Sequence, residues 1–262
     1  MNAVARRWVA RLYCALVLGF LMLPVAVVVL ASFSTTAYLT IPPQGVTLRW
    51  YGRVLESADY LSAIGISLLL ASVATLSALA IGTATSYALV RRALPGKAAV
   101  SAVVMSPLIF PGVVIGVALL QFYAALGLAG SFAGLAVAHV VITVPYVVRT
   151  TLASLSGLDA ELEDAACTLG ASRPTAFWKV TLPLMRPGMV AGALFAFITS
   201  FDNVPVSIFL TGVGNTTLPV KIFTAIEFGV DPTVAAVSSL LILTTALALV
   251  LAERWVGFHR FT

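Results

Sequence analysis

The sequence predicts an all-α membrane protein with six transmembrane helices and both termini in the cytoplasm. Composition is the first of three observations behind this. Of 262 residues, 60% are hydrophobic and 10% charged, and the mean hydropathy is +1.06. A soluble domain carries about a quarter of its residues charged, so a water-soluble helical bundle is disfavoured. Spacing is the second: charges cluster, leaving neutral stretches long enough for spans of about 20 residues. The third is an uneven distribution of Lys and Arg among the segments between those stretches.

The first span covers residues 12–31. Arg6, Arg7 and Arg11 precede it as in a secretory signal. The apolar run is too long for such a signal, and no small-x-small cleavage site follows, so it reads as a retained helix. The second covers residues 62–90 and is closed by Arg91, Arg92 and Lys97. From Ala98 to Val148 there is no charge, too long a run for one helix; the turn Gly127-Leu128-Ala129-Gly130-Ser131 divides it into spans at 98–123 and 132–153. The fifth and sixth spans cover residues 188–210 and 233–252.

Orientation follows from the cations. With the N-terminus inside, the cytoplasmic segments hold Arg6, Arg7, Arg11, Arg91, Arg92, Lys97, Arg149, Arg173, Lys179, Arg186, Arg254 and Arg260, twelve of the fifteen. Arg49, Arg53 and Lys221 remain outside. The chain reads as a single transmembrane domain, residues 1–262, with outer loops at 32–61 and 211–232 and one substantial inner loop at 154–187. The first outer loop contains Ile41-Pro42-Pro43 and also Trp50 and Tyr51, which suit the outer membrane interface. Cys14 and Cys167 lie on the inner side and read as free thiols. No basic stripe interleaved with aromatics suggests nucleic acid, and no Walker A loop is present, so the chain has no ATPase site of that kind.

The inner loop carries the strongest pattern. Leu158, Leu162, Ala165/Ala166 and Leu169 recur at helical spacing on one apolar face. Asp159, Glu161 and Glu163 fall in early turns, where the helix dipole favours negative charge. Gly170 suits a helix stop, and Ser172 suits the cap of a second helix with Pro174 in its first turn. That helix carries Phe177 and Trp178 before Leu182-Pro183 re-enters the membrane.

Asp164-Ala165-Ala166, Gly170, and Val180-Thr181-Leu182-Pro183 together resemble the EAA loop of permease subunits in bacterial ABC importers. The family's motif opens on Glu; this chain has Asp164, with Glu163 adjacent. The resemblance implies a type I importer permease of MetI-like architecture in the bacterial inner (plasma) membrane. It implies a loop that docks on a separate ATP-binding cassette subunit through Glu163, Asp164, Ala165, Ala166, Gly170, Ser172, Phe177, Trp178, Val180, Leu182 and Pro183. It also implies a second, different permease chain and an extracytoplasmic solute-binding protein. No cofactor is expected on this chain, with ATP on the partner subunit. Residues 200–212 and 216–223, with Ser106-Pro107-Leu108-Ile109-Phe110-Pro111-Gly112, are similar to the spermidine/putrescine branch. Another small solute is the alternative: an amino-acid-like compound, a phosphonate or iron.

Asp202 is the only acidic residue deep in a predicted span, about 21 Å along the fifth helix from its inner end. An intramembrane carboxylate normally faces protein or water. Thr199, Asp202 and Asn203 share one helical face, and Pro205 removes a backbone donor from the Phe201 carbonyl. These four residues are candidates for the solute pathway or a gate, a carboxylate beside a free carbonyl suiting a cation or amine. Many relatives carry a second acid where Asn203 stands. Pro107 and Pro111 predict a kink or break in span three. His139 lacks a neighbouring ligand at metal spacing and reads as an interhelical hydrogen-bonding residue. Gly112–Gly116, Gly130–Gly134 and Gly188–Gly192 match G-x-x-x-G, a weak signal among 19 glycines.

Two rival functions are disfavoured. An ion-driven secondary carrier has no use for a docking loop. An intramembrane hydrolase needs a Ser–His pair or paired carboxylates at depth; Asp202 and His139 each stand apart, and no catalytic or metal site is assigned.

Overall fold

The computed structural model describes residues 3–36, 44–92, 94–159, 161–229 and 231–256. Ile41-Pro42-Pro43, Arg260 and the side chain of Arg254 lie outside what is described. Among the described residues all regular structure is helical. The order is α1 (Ala3–Ala31), α2 (Arg49–Glu56), α3 (Ala58–Arg91), α4 (Lys97–Met105), α5 (Gly112–Leu126), α6 (Phe132–Ser156), α7 (Glu161–Thr168), α8 (Arg173–Ala176), α9 (Leu182–Phe201), α10 (Ser207–Leu210), α11 (Leu218–Phe228) and α12 (Pro232–Val256). Four helical stretches are long and apolar enough to cross a bilayer, and α4 with α5 makes five if that bent pair is one crossing. A sixth apolar helix is supplied by α12. Among the described residues the all-helical membrane fold is thus present with four to five candidate crossings, and the apolar part of α12, Pro232–Leu247, is shorter than these.

The chain forms two compact units. One contains residues 1–61 and 222–262, where α12 packs on both α1 and α2. Only 6% of the apolar window in α1 is buried, with Phe20 76% exposed. Such a surface belongs in lipid or against another apolar chain. The expected interfacial anchors behave differently. Trp50 is 2% exposed and its indole N–H donates to the Ser34 carbonyl at 2.7 Å. Arg49 and Arg53 lie 4.3 and 4.8 Å from its ring centroid. The Tyr51 hydroxyl meets Ser32 at 2.6 Å and Ser239 at 3.3 Å. Trp50 is thus a core residue, because the short helix α2 turns it inward and stacks cations on its faces.

The other unit spans Ser62–Lys221 and holds the candidate site residues. Its centre is the packing of α9 on α6. Gly188 and Gly192 lie one helical turn apart and face Thr150, Ser154 and Val147 on α6. A Cβ on Gly192 would sit 2.5 Å from Thr150 Oγ1 and 2.8 Å from Val147 Cα. Ala78, Val147 and Ala196 continue the same seam and bring in α3. Helices in lipid gain little from hydrophobic exclusion, so close backbone approach between small residues holds such pairs.

Span three breaks as its prolines predict, and the break is large: α4 and α5 are inclined by 102°. α4 ends at Met105 and a 3-10 turn follows over Ser106–Leu108; Pro111, the N-cap residue of α5, has non-helical φ −58°, ψ 134°, so no continuous helix runs through the break. The turn after α5 also follows the prediction. Gly127 caps α5 in the left-handed region at φ +69°, and Ser131 caps α6, accepting from the Gly134 amide at 3.1 Å.

Span five departs from prediction. The helix expected over residues 188–210 starts earlier, at Leu182, and stops at Phe201, resuming only as the four-residue α10. Pro205 cannot donate to the Phe201 carbonyl. In addition the Asn203 side chain accepts from the Val206 amide at 3.0 Å, giving the backbone a local turn in place of the helix.

Candidate functional site

Two groups of predicted residues occupy opposite ends of α9. At its inner end the loop builds a compact platform. Helix α7 ends in a Schellman motif: the Ala171 amide donates to the Ala166 carbonyl and the Gly170 amide to the Cys167 carbonyl, both at 3.0 Å. Gly170 takes φ +94°, open to glycine at low cost. Ser172 then caps α8, accepting from the Thr175 amide at 3.4 Å. A π-helical turn over Phe177–Thr181 joins α8 to α9, where Leu182 and Pro183 form the first turn. Phe177 points inward, its ring 4.8 Å from that of Tyr87 on α3. The Arg91 guanidinium, at the end of α3, donates to the Leu158 carbonyl at 3.3 Å and secures the start of the loop.

The adjacent acids part company. Glu163 is half-buried and turned toward the bundle, whereas Asp164 is exposed. Both acids line one cleft with Tyr87, Arg91, Arg92, Cys167 and Arg173, while on another face of the loop Ala165 is exposed, as are Leu162 at 47%, Leu169 at 90% and Trp178 at 65%. Ala166 and Val180 are half-buried. An amphipathic loop that only packed on its own bundle would bury Leu162 and Leu169. Here they face outward.

At the other end, Asp202 caps α9 at its C-terminus and its side chain is exposed on the surface of the unit. It does not share a helical face with Asn203 as predicted, because the helix has ended and Asn203 turns into the cap of the next segment. Thr199 remains in the last turn of α9, half-buried, and Pro205 is exposed. The last four carbonyls of a helix lack intrahelical donors, and the helix C-terminus carries partial negative charge. A carboxylate there is repelled by the dipole and gains from a cation. The arrangement suits a positively charged group.

Sequence reasoning left the support of this break unidentified. His139 on α6 is fully buried and bridges it, with Nδ1 2.8 Å from Ser200 Oγ and Nε2 3.0 Å from Ser207 Oγ. One ring thereby ties the end of α9 to the start of α10, the interhelical role its isolation predicted. Pro205 and Val206 press on Gly112 and Gly116 of α5, where a Cβ on Gly112 would sit 3.0 Å from Pro205 Cβ. For His139→Ala we expect a loss of about 1–3 kcal/mol, since two buried hydroxyls lose their partner. Thermal unfolding of the purified chain in mild detergent measures it, and an unchanged midpoint would refute the bridging role.

Comparison with known proteins accords with these features. Residues 78–257 match the family described as binding-protein-dependent transport system inner membrane component. The spermidine/putrescine transport system permease protein PotC of Haemophilus influenzae is 32% identical over 250 residues, 95% of this chain and 97% of that protein. The molybdenum transport system permease protein ModB of Escherichia coli is 33% identical, covering 74% of this chain and 92% of its own length. Among solved structures, a bacterial ABC transporter involved in the import of the acidic polysaccharide alginate superimposes with a TM-score of 0.78 at 16% identity. That match covers 97% of this chain and 98% of that one.

Proposed function

The chain belongs to the family of binding-protein-dependent transport system inner membrane components, and from that premise we propose that it carries a polyamine such as spermidine or putrescine, driven by an ATPase gripped at residues 154–187. Its place in an ABC importer, as a multi-pass permease of the bacterial inner membrane, follows from the family. The finer reading rests on one observation above all: the loop turns Leu162, Ala165, Leu169 and Trp178 outward while Phe177 and Glu163 hold it to the bundle. Exposed apolar side chains on a charged cytoplasmic face need a partner surface, and an exposed Trp is the residue type that most often dominates one.

In this reading ATP binds the partner subunit and this chain contributes motion. A solute-binding protein delivers the solute from outside, and a second permease completes the pathway. The polyamine assignment is supported by the likeness to PotC over nearly the full chain. It is supported also by the chemistry of Asp202 at the negative end of α9. A divalent oxyanion, the chemistry of molybdate, would be repelled there.

Trp178→Asp tests the grip. We expect the ATPase subunit to be lost from the affinity-purified complex, with this chain still inserted at normal levels. Full retention of the ATPase by that variant would contradict the docking assignment. Competition of labelled spermidine uptake by unlabelled spermidine, putrescine and molybdate then reads the solute. Absence of ATP-dependent spermidine uptake in a complex that takes up labelled molybdate would overturn the polyamine reading.

A further inference from the structure

Two acids stand side by side in α7, and they do different things. The Glu163 carboxylate is held at both oxygens by the membrane bundle. Oε1 accepts from the Tyr87 hydroxyl at 2.7 Å, and Oε2 accepts from the Thr181 hydroxyl at 2.9 Å. Tyr87 belongs to the last full turn of α3, and Thr181 closes the π-helical turn that leads into α9. Thr181 is buried at 3% exposure. One side chain therefore joins α7 to the inner ends of two membrane-spanning helices. Both bonds run to an ionised acceptor, the stronger kind of hydrogen bond. The π-helical turn is itself a point of local widening in the helix, a feature that recurs at functional sites.

We propose that Glu163 is a positioning residue that transmits movement of α7 to α3 and α9, while Asp164 alone of the two acids meets the ATPase. This rests on the docking role of the loop proposed above. Without the tie, α7 would remain attached through its chain ends, its packing on α8 and the π-helical turn, and the Arg91 contacts to the Leu158 and Asp159 carbonyls. It would bind its partner but move against the bundle with slack. The energy of hydrolysis would then be spent without reorienting the membrane helices.

The test uses the complete complex reconstituted in liposomes with its binding protein, reading labelled spermidine uptake and ATP hydrolysis in the same sample. For Glu163→Ala we expect the ATPase subunit to co-purify, hydrolysis to persist, and solute moved per ATP to fall about tenfold, the scale of losing two charge-assisted hydrogen bonds. Glu163→Gln, which keeps an acceptor oxygen, restores part of that ratio. Tyr87→Phe and Thr181→Val each lower it by a smaller factor, and adding Tyr87→Phe to Glu163→Ala costs nothing further. A purely structural role would lower the amount of complex and leave the ratio per complex intact, which overturns the proposal. So does loss of the ATPase from Glu163→Ala with Tyr87→Phe and Thr181→Val normal, since Glu163 would then face the partner. Failure of the docking role itself shows differently: Asp164→Arg and Trp178→Asp would both keep the ATPase and full transport.

Discussion

Replacing Asp202 by Ala is expected to reduce uptake about tenfold or more while the complex still assembles and retains its ATPase; tenfold corresponds to about 1.4 kcal/mol of lost interaction. The expectation comes from where α9 ends. Its C-terminal carbonyls and the Asp202 carboxylate place negative potential at one point on the surface of the unit. Because the side chain is exposed and the cap hydrogen bond of this residue is made by its backbone amide to the Ile198 carbonyl at 3.0 Å, truncation leaves the fold in place. Asp202→Asn removes the charge at equal size and should fall nearly as far. Uptake measured on matched amounts of complex decides it: normal rates in both variants would remove Asp202 from the pathway.

Leucine at Gly192 is expected to have the opposite profile, abolishing assembly with no specific effect on transport by whatever survives. The α6–α9 seam has no room: a Cβ alone meets Thr150 Oγ1 at 2.5 Å and Val147 Cα at 2.8 Å. Backbone cannot swing aside as a flexible side chain can, so the cost is about 3 kcal/mol, the upper end of what overpacking typically costs. Gly65→Leu is the matched control, since nothing lies within 4 Å of a Cβ there. Yield of intact complex by size exclusion separates the two. Equal recovery of both variants would mean the seam is not what holds these helices together.

These two residues also mark what the sequence makes legible. Spans and orientation were readable because membrane crossing depends on summed apolarity and on where the cations fall, properties that need no tertiary contact. The loop was readable for a related reason, since Gly170 and Ser172 act on neighbouring backbone groups within a few residues. Gly188 and Gly192 were different: three G-x-x-x-G pairs look alike in sequence, and only the approach of α6 gives this pair its weight. Trp50 suits a lipid-facing anchor by residue type alone, whereas its burial depends on Ser34, Arg49 and Arg53 closing around it. The break after Phe201 had a visible signal in Pro205, but its completion by Asn203 and its bridging by His139 are tertiary choices.

The division between Glu163 and Asp164 was beyond sequence reading for the same reason. Two acids in adjacent positions of a helix point about 100° apart, and which one faces the bundle depends on where Tyr87 and Thr181 lie. Asp164 makes no such tie to Tyr87 or Thr181 and stays exposed.

On the proposed function, solute movement through this chain is driven by an ATPase held at its cytoplasmic loop. It is tested most directly in liposomes containing the purified complex, with binding protein and labelled spermidine on one side and ATP supplied to the other. Spermidine accumulation should require ATP, stop when Trp178→Asp removes the ATPase, and be indifferent to proton and sodium gradients. Accumulation by the Trp178→Asp protein under an ion gradient without ATP would contradict the account.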